Sequence, residues 1–484
     1  MASSTRLAQG PASPGWTLTG ALEPQADVRP ERRARALNGL PRKPVDGQGF
    51  WMRQLTDPWN WITLVLVQLY GLALYLVWRQ LHPDQVFEQG VIPGIDWETA
   101  KKCAWLAAPT AAGWSLVFIL LDRIRPMRAR LWLLAFGWGS CMAIWVSLNV
   151  NSWASTLLNV SAAPGDPAAQ ARPAVFVAPF VEEASKGTFV FLVAILLRHR
   201  VVSAMQAVAL SGLCAVGFAF TENIVYYARG FIYGSVTAGA GDVEAAVQQL
   251  VFLRGFMTSY GHPLFTMFIG LGMVLGLRTR SKLVRVLAPL SGFLVAAFGH
   301  MLFNGMSTVS EMSMTRLAIQ GVLVVLCTTF FLVRQELKEY KRVRTRLEDY
   351  VLMGWLQPAD PQNFGTLRRR ARLLLVAARR GPRTFGATLR LVRAMTELAY
   401  LRDSMVRGIV DAAGQEREKE LLTEIHVTRA AGLDDTAGLK LDIPWRRLAF
   451  WRRRDRALPA GQAWQQPGQA AWPAPAPTWA PPGR

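Results

Sequence analysis

Asn60 to Trp78 reads NWITLVLVQLYGLALYLVW, nineteen residues without one charged side chain. As a helix rising 1.5 Å per residue this run is about 28 Å long, close to the roughly 30 Å hydrocarbon core of a bilayer. Runs of similar length and apolarity recur near 103–121, 131–150, 174–197, 203–224, 260–277, 284–304 and 316–333. The expectation is an all-α, polytopic membrane protein of about eight transmembrane helices.

The 484 residues are 51% hydrophobic yet carry 54 Lys+Arg against 33 Asp+Glu, a net charge of +21. Both hold because the two kinds of residue occupy different segments. The basic residues crowd the ends of the apolar runs and the C-terminal third. That distribution points to an anionic lipid surface as partner, through the loops and the tail, and no nucleic acid is expected. Cys103, Cys141, Cys214 and Cys327 all fall inside apolar runs with no C-x-x-C pair, so neither a disulfide framework nor a thiolate zinc site is indicated. The N-terminal stretch lacks an apolar core near Met1 and does not read as a signal peptide.

The loops alternate in charge. Arg123, Arg125, Arg128 and Arg130 fill the second loop, Arg198, His199 and Arg200 the fourth, Arg278, Arg280, Lys282 and Arg285 the sixth. Basic residues also precede the first run and follow the last, whereas the first loop has Asp84, Glu88, Asp96 and Glu98. The positive-inside rule then predicts a multi-pass plasma-membrane protein with both termini cytoplasmic. Four regions follow: a disordered basic arm (1–55), a membrane core (56–335), a basic helical region (336–450) and a disordered Pro/Ala/Trp-rich tail (451–484). The third outer loop, near 228–259, is long enough for Gly241–Met257 to form an interfacial helix, and Arg254 within it reads first as a lone solvated charge and otherwise as the holder of a substrate or a carboxylate.

Ionisable groups inside spans cost roughly 2.5 kcal/mol or more each at the bilayer centre, so they call for a reason. The fourth span holds Glu182, Glu183 and Lys186, and the fifth ends near Glu222 and Asn223. The sixth opens on His262 and the seventh closes on His300 and Asn304. With the predicted topology, all of them fall in the outer half of the membrane. Four helices contributing polar residues at one depth make a site.

Lys186 is i+4 from Glu182 and i+3 from Glu183, able to neutralise one carboxylate, and His300 and Asn304 share a helix face. A carboxylate beside imidazoles in a water-poor pocket is a general base for water, and neutral His and Asn donate to an oxyanion. The same His and Glu atoms are equally suited to ligating zinc with a bound water. A proton-coupled secondary transporter is the alternative, since intramembrane Glu and His also make proton relays. Transporters, however, favour a midplane site and two related halves, and no second copy of these residues occurs.

Glu182-Glu183-x-x-Lys186, Phe218-x-x-x-Glu222, His262 in GHPLFT and His300-x-x-x-Asn304 occur in that order, each in its own span. Together they resemble the motifs of the PrsW family of intramembrane proteases, related to the CAAX-processing (Rce1-like) glutamate proteases, over roughly 170–305. The resemblance implies an intramembrane endopeptidase that cuts a membrane-anchored, single-span protein near the outer face, as relatives cut anti-sigma factors. It implies Glu182 and Glu183 as the catalytic pair, His262 and His300 as their partners, and Lys186 tuning their charge. His262, Glu222 and His300 would position the water or bind Zn2+, and Asn304 would aid the oxyanion. H-E-x-x-H and G-x-S-G, marks of other intramembrane proteases, are missing.

Overall fold

A computed structural model describes residues 49–87, 90–160, 172–197, 200–236, 241–309, 314–409 and 412–436. The arm before residue 49, Arg198, His199 and the end from 437 lie outside these residues, so the expectations placed on them are untouched.

The described chain is helical. After the short α1 (Phe50–Thr56) comes α2 (Pro58–Leu81). Asp57 starts α2 by accepting the Trp59 N–H (3.0 Å), and Pro58 sits in the first turn, where its missing N–H costs nothing. A small antiparallel pair, β1 (Gln85–Phe87) with β2 (Gly90–Ile92), fills the first loop and was not foreseen. Asp96 then caps α3 (Trp97–Leu121) through the Thr99 N–H and hydroxyl. The third span is α4 (Ala129–Gly137), a π turn (Trp138–Ala143) and α5 (Ile144–Val160). A second π turn (Pro173–Val177) leads into α6 (Ala178–Leu196), followed by α7 (Ala204–Val236). The long loop near 228–259, expected at the outer face, does contain a helix: α8 (Val243–Phe252) runs into a π turn (Leu253–Met257) ahead of α9 (Gly261–Leu277). The core closes with α10 (Lys282–Val309) and α11 (Met314–Leu352).

Among the described residues, seven helical stretches are long and apolar enough to cross a membrane, which makes the chain a multi-pass membrane protein. The remaining expected span, α6, is nineteen residues long and is the one burdened with Glu182, Glu183 and Lys186. Burial orders the helices. In α7, 78% of the apolar window is buried, against 6% in α11 and 17% in α2. Thus α7 is the central helix, while α2 and α11 turn Leu64, Val67, Leu72, Val322, Leu326 and Phe330 outward, a surface suited to hydrocarbon.

Close helix approach sets where the polar residues meet. A Cβ on Gly272 of α9 would lie 2.4 Å from Ala288 O of α10, and one on Gly292 of α10 would lie 2.4 Å from Phe268 O. Only glycine permits that backbone contact, which fixes α9, bearing His262, against α10, bearing His300. At the opposite ends, the second and fourth loops are tied together: Arg125 donates to Arg200 O (2.9 Å) and Gln206 to Arg125 O (2.8 Å). Glu339 of α11 accepts from Ser203 Oγ and from the Met205 N–H at the start of α7, and Glu336 pairs with Arg123 (2.7 Å).

The described residues fall into two compact units, with boundaries at Glu339/Tyr340 inside α11, at Asp403/Ser404 and at Gly414/Gln415. The second unit contains the end of α11, α12 (Asp360–Phe364), α13 (Leu367–Arg379), α14 (Pro382–Val406) up to Asp403 and α15 (Ala412–Ala431) from Gln415. Its apolar residues, among them Leu373, Leu391, Met395, Leu398, Leu421 and Ile425, are buried. Arg429 grips Asp360 through both terminal nitrogens (2.6 and 3.2 Å) and Asp434 (2.7 Å). Burial lifts the Asp360 carboxyl, against the pull of that arginine, while the two carboxylates keep the Arg429 guanidinium charged despite its own burial.

Candidate active site

Five elements converge on one cluster: α6, α7, the π turn Leu253–Met257, α9 and α10. Glu183 is fully buried and saturated. Its Oε1 accepts from Lys186 Nζ (2.7 Å) and meets His300 Nδ1 (3.2 Å), and its Oε2 accepts from Thr266 Oγ1 (2.7 Å). Lys186, also 0% exposed, spends its ammonium on Glu183, on His262 Nδ1 (3.0 Å) and on the face of Phe218 (4.1 Å from the ring centre).

Glu182 is different. It is 7% exposed, and its Oε2 is buried with no hydrogen-bond partner. That oxygen lies 3.6 Å from Lys186 Nζ and 4.0 Å from both His262 Nδ1 and His300 Nε2. An orphaned buried carboxylate oxygen is costly and needs an occupant. Glu182, His262 and His300 each offer a ligand atom within 4.8 Å of the others, a set that could hold a metal ion.

The far side of each imidazole is held by a carboxylate. His300 turns Nδ1 to Glu183, and His262 turns Nε2 to Glu222 Oε2 (2.9 Å). Carboxylates only accept, so each takes the N–H of the nitrogen it touches and leaves the nitrogen facing Glu182 with its lone pair. This is the outer-shell pattern that orients metal-ligating histidines. The donor set therefore fits a divalent metal such as zinc, and Lys186 keeps Glu183 as partner if the His262 lone pair goes to the metal. Phe265 stacks on His300 (14° between planes) and Phe218 abuts His262, so the rings are walled by aromatics.

The residues expected from the sequence meet here with some rearrangement. Glu222, expected among the metal ligands, lies outside the three-ligand group, on the other nitrogen of His262. Arg254 is no lone solvated charge: its Nη2 donates to Glu222 Oε2 at 2.6 Å. Asn304 lines the cavity a turn beyond His300 and donates to Ala174 O (2.9 Å). Sequence reasoning passed over Thr266, although its i+4 spacing from His262 places it on the same face. The run Gly239-x-Gly241-Asp242, a G-x-G-D tetrapeptide that marks aspartate intramembrane proteases, also occurs. There Asp242 caps α8 by accepting the Ala245 N–H (3.1 Å). A cavity of about 380 Å³ opens on Glu182, Glu222, His262 and His300, with Ser147, Asn151, Thr110 and Ser259 adding polar lining.

Residues 127–333 match the family model described as PrsW family intramembrane metalloprotease. No curated protein and no solved structure matches the chain.

Proposed function

We propose, from the match of residues 127–333 to the PrsW family of intramembrane metalloproteases, an endopeptidase that cuts a membrane-anchored protein near the outer face of the plasma membrane. The carrying observation is the buried, unbonded Oε2 of Glu182, turned toward the lone-pair nitrogens of His262 and His300. Zinc, held by Glu182, His262 and His300, would polarise the scissile carbonyl and bring the pKa of water down to about 7.

The chain's own residues do the rest. Glu182 serves one role at a time: with the ion bound it would be a ligand, and without it the unbonded Oε2 would take the proton of the attacking water and return it to the departing amine. Glu183 holds Lys186, Thr266 and His300 in place and carries no proton itself. Glu222 fixes His262, and Asn304 donates to the oxyanion. Ser147 and Asn151 offer hydrogen bonds to a substrate strand that must leave its helix to be cut, since a helical peptide group presents neither face to a nucleophile.

The basic loops support an orientation with both termini cytoplasmic and an anionic leaflet against them. That topology puts the cavity on the outer side, where an anti-sigma-factor-like single-span protein would present its juxtamembrane segment. The test is cleavage of a panel of single-span proteins in vesicles by wild type, Glu182→Gln and His300→Ala, with zinc assayed on purified protein. Cleavage by wild type alone near the outer boundary is expected. Cleavage retained in Glu182→Gln sinks the assignment, and metal-free active enzyme sinks the zinc part of it.

A further inference from the structure

Arg254 stands in the π turn Leu253–Met257, a segment whose sequence reads as the end of an interfacial helix. π turns concentrate at functional sites because they displace a side chain from the regular helical face. Arg254 makes three contacts with α7. Its Nη2 donates to Glu222 Oε2 (2.6 Å), its Nε donates to Asn223 Oδ1 (3.0 Å), and its guanidinium lies 3.7 Å from the centre of the Tyr226 ring. The oxygen it grips is the one that meets His262 Nε2 at 2.9 Å.

We propose that Arg254 is a positioning residue of the active centre: through Glu222 it fixes the orientation and N–H position of His262, so that Nδ1 faces Glu182. The proposal rests on the reading above that His262 serves the water or the metal. The planar guanidinium is suited to this because it holds Glu222, Asn223 and Tyr226 at once, and a lysine offers a single nitrogen. Without it, His262 is the partner left to Glu222 Oε2 among the described residues, the carboxylate is free to rotate, and the imidazole loses its fixed tautomer. The outer helix α8 and its π turn are then part of the catalytic apparatus. Thr110 Oγ1, donating to Gly255 O (2.7 Å), and Lys102, paired with Glu244 (2.8 Å), hold the same segment to α3.

The experiment compares full-length wild type, Arg254→Ala, Arg254→Lys and Lys102→Ala in nanodiscs. One readout is zinc affinity by competition with a chromophoric chelator. The other is kcat and KM on a cleaved single-span protein. Loss of an outer-shell partner of a metal-bound histidine typically costs about 10- to 100-fold in metal affinity or activity. Arg254→Ala is expected to lose that much zinc affinity and kcat with KM kept, Arg254→Lys to fall in between, and Lys102→Ala to match wild type.

Wild-type zinc affinity and kcat in Arg254→Ala overturns the proposal. So does an equal loss in Lys102→Ala, which would mean that Arg254 only fastens the segment. If wild type proves metal-free, the zinc reading fails and kcat alone decides on Arg254. If no substrate is cut, the protease reading is what fails, and zinc affinity alone decides.

Discussion

Glu182 and Glu183 are neighbours in sequence and opposites in circumstance. Glu183 receives Lys186, Thr266 and His300, while Glu182 Oε2 receives no hydrogen bond. Removing one partner of a buried ion pair costs about 3–5 kcal/mol, because the other charge is left without compensation. Glu183→Gln should therefore lower the thermal midpoint in detergent markedly. Glu182→Gln should leave it near wild type while abolishing cleavage; similar melting of the two variants would refute this division of roles. The motif E-E-x-x-K made both glutamates visible in the sequence, but not which one was spent on structure. That depended on Thr266 and His300, contributed by other helices. A second residue-scale prediction concerns Asp122, in the loop after α3. Burial pushes its carboxyl up to about 7, although the Met127 N–H (2.8 Å) and Trp132 Nε1 (2.9 Å) donate to it. Its ordinary value is about 4. Between those values the folded chain holds a proton that the unfolded chain has lost, so stability falls as pH rises from about 4 to about 7 and is level above. Asp122→Asn should flatten the midpoint-against-pH curve over that range, and curves that stay parallel to wild type would show that Asp122 is not the cause.

Helix packing is where the sequence was read most fully. The eight apolar runs, the basic alternation of loops and the helical outer segment were all legible, because span length and charge placement are local properties. What Gly272 of α9 packs against was not legible, since Ala288 and Gly292 are known as partners only once α10 folds back. The three π turns escaped for the same reason: an inserted residue leaves no mark in composition. Arg254 as the holder of a carboxylate was only the second of two readings, because its π turn was not visible, whereas the acidic caps Asp57, Asp96 and Asp242 stand in the usual place before their helices. At this scale Gly272→Val is the informative change. Its side chain meets Ala288 O, and forced overpacking typically costs about 1–3 kcal/mol. Because α9 and α10 carry one histidine each, zinc binding should weaken together with stability. Gly71→Ala on α2, where nothing lies within 4 Å, should change neither. Zinc binding unaltered in Gly272→Val would show that the histidines do not depend on that contact.

For the whole molecule, orientation is the property most open to direct measurement. In a cysteine-free background, a thiol placed at Asp84 should react with an impermeant maleimide on intact cells, and one placed at Arg128 only after permeabilisation. The reverse pattern would put the cavity on the cytoplasmic side and remove the outer-face substrate with it. The second compact unit buries its own leucines and pairs Arg346 with Asp403 (3.2 Å) and Arg417 with Glu397 (3.0 Å). Leu352, Leu375 and Val427 nevertheless stay exposed, so any attraction to lipid can draw on them as well as on the unit's arginines. The last consequence concerns α6. Translocon scales charge roughly 2.5–3.5 kcal/mol for each ionised side chain at mid-span, and this nineteen-residue helix carries three. Emerging from the ribosome alone, it is a poor candidate for partitioning into lipid. Its lysine can offset one glutamate within the helix, but Thr266, His262 and His300 are synthesised some eighty to one hundred and twenty residues later. The nascent chain must shelter α6 against its neighbours or in the translocon until α9 and α10 arrive, so that assembly of the Glu/His cluster and completion of membrane insertion become one event.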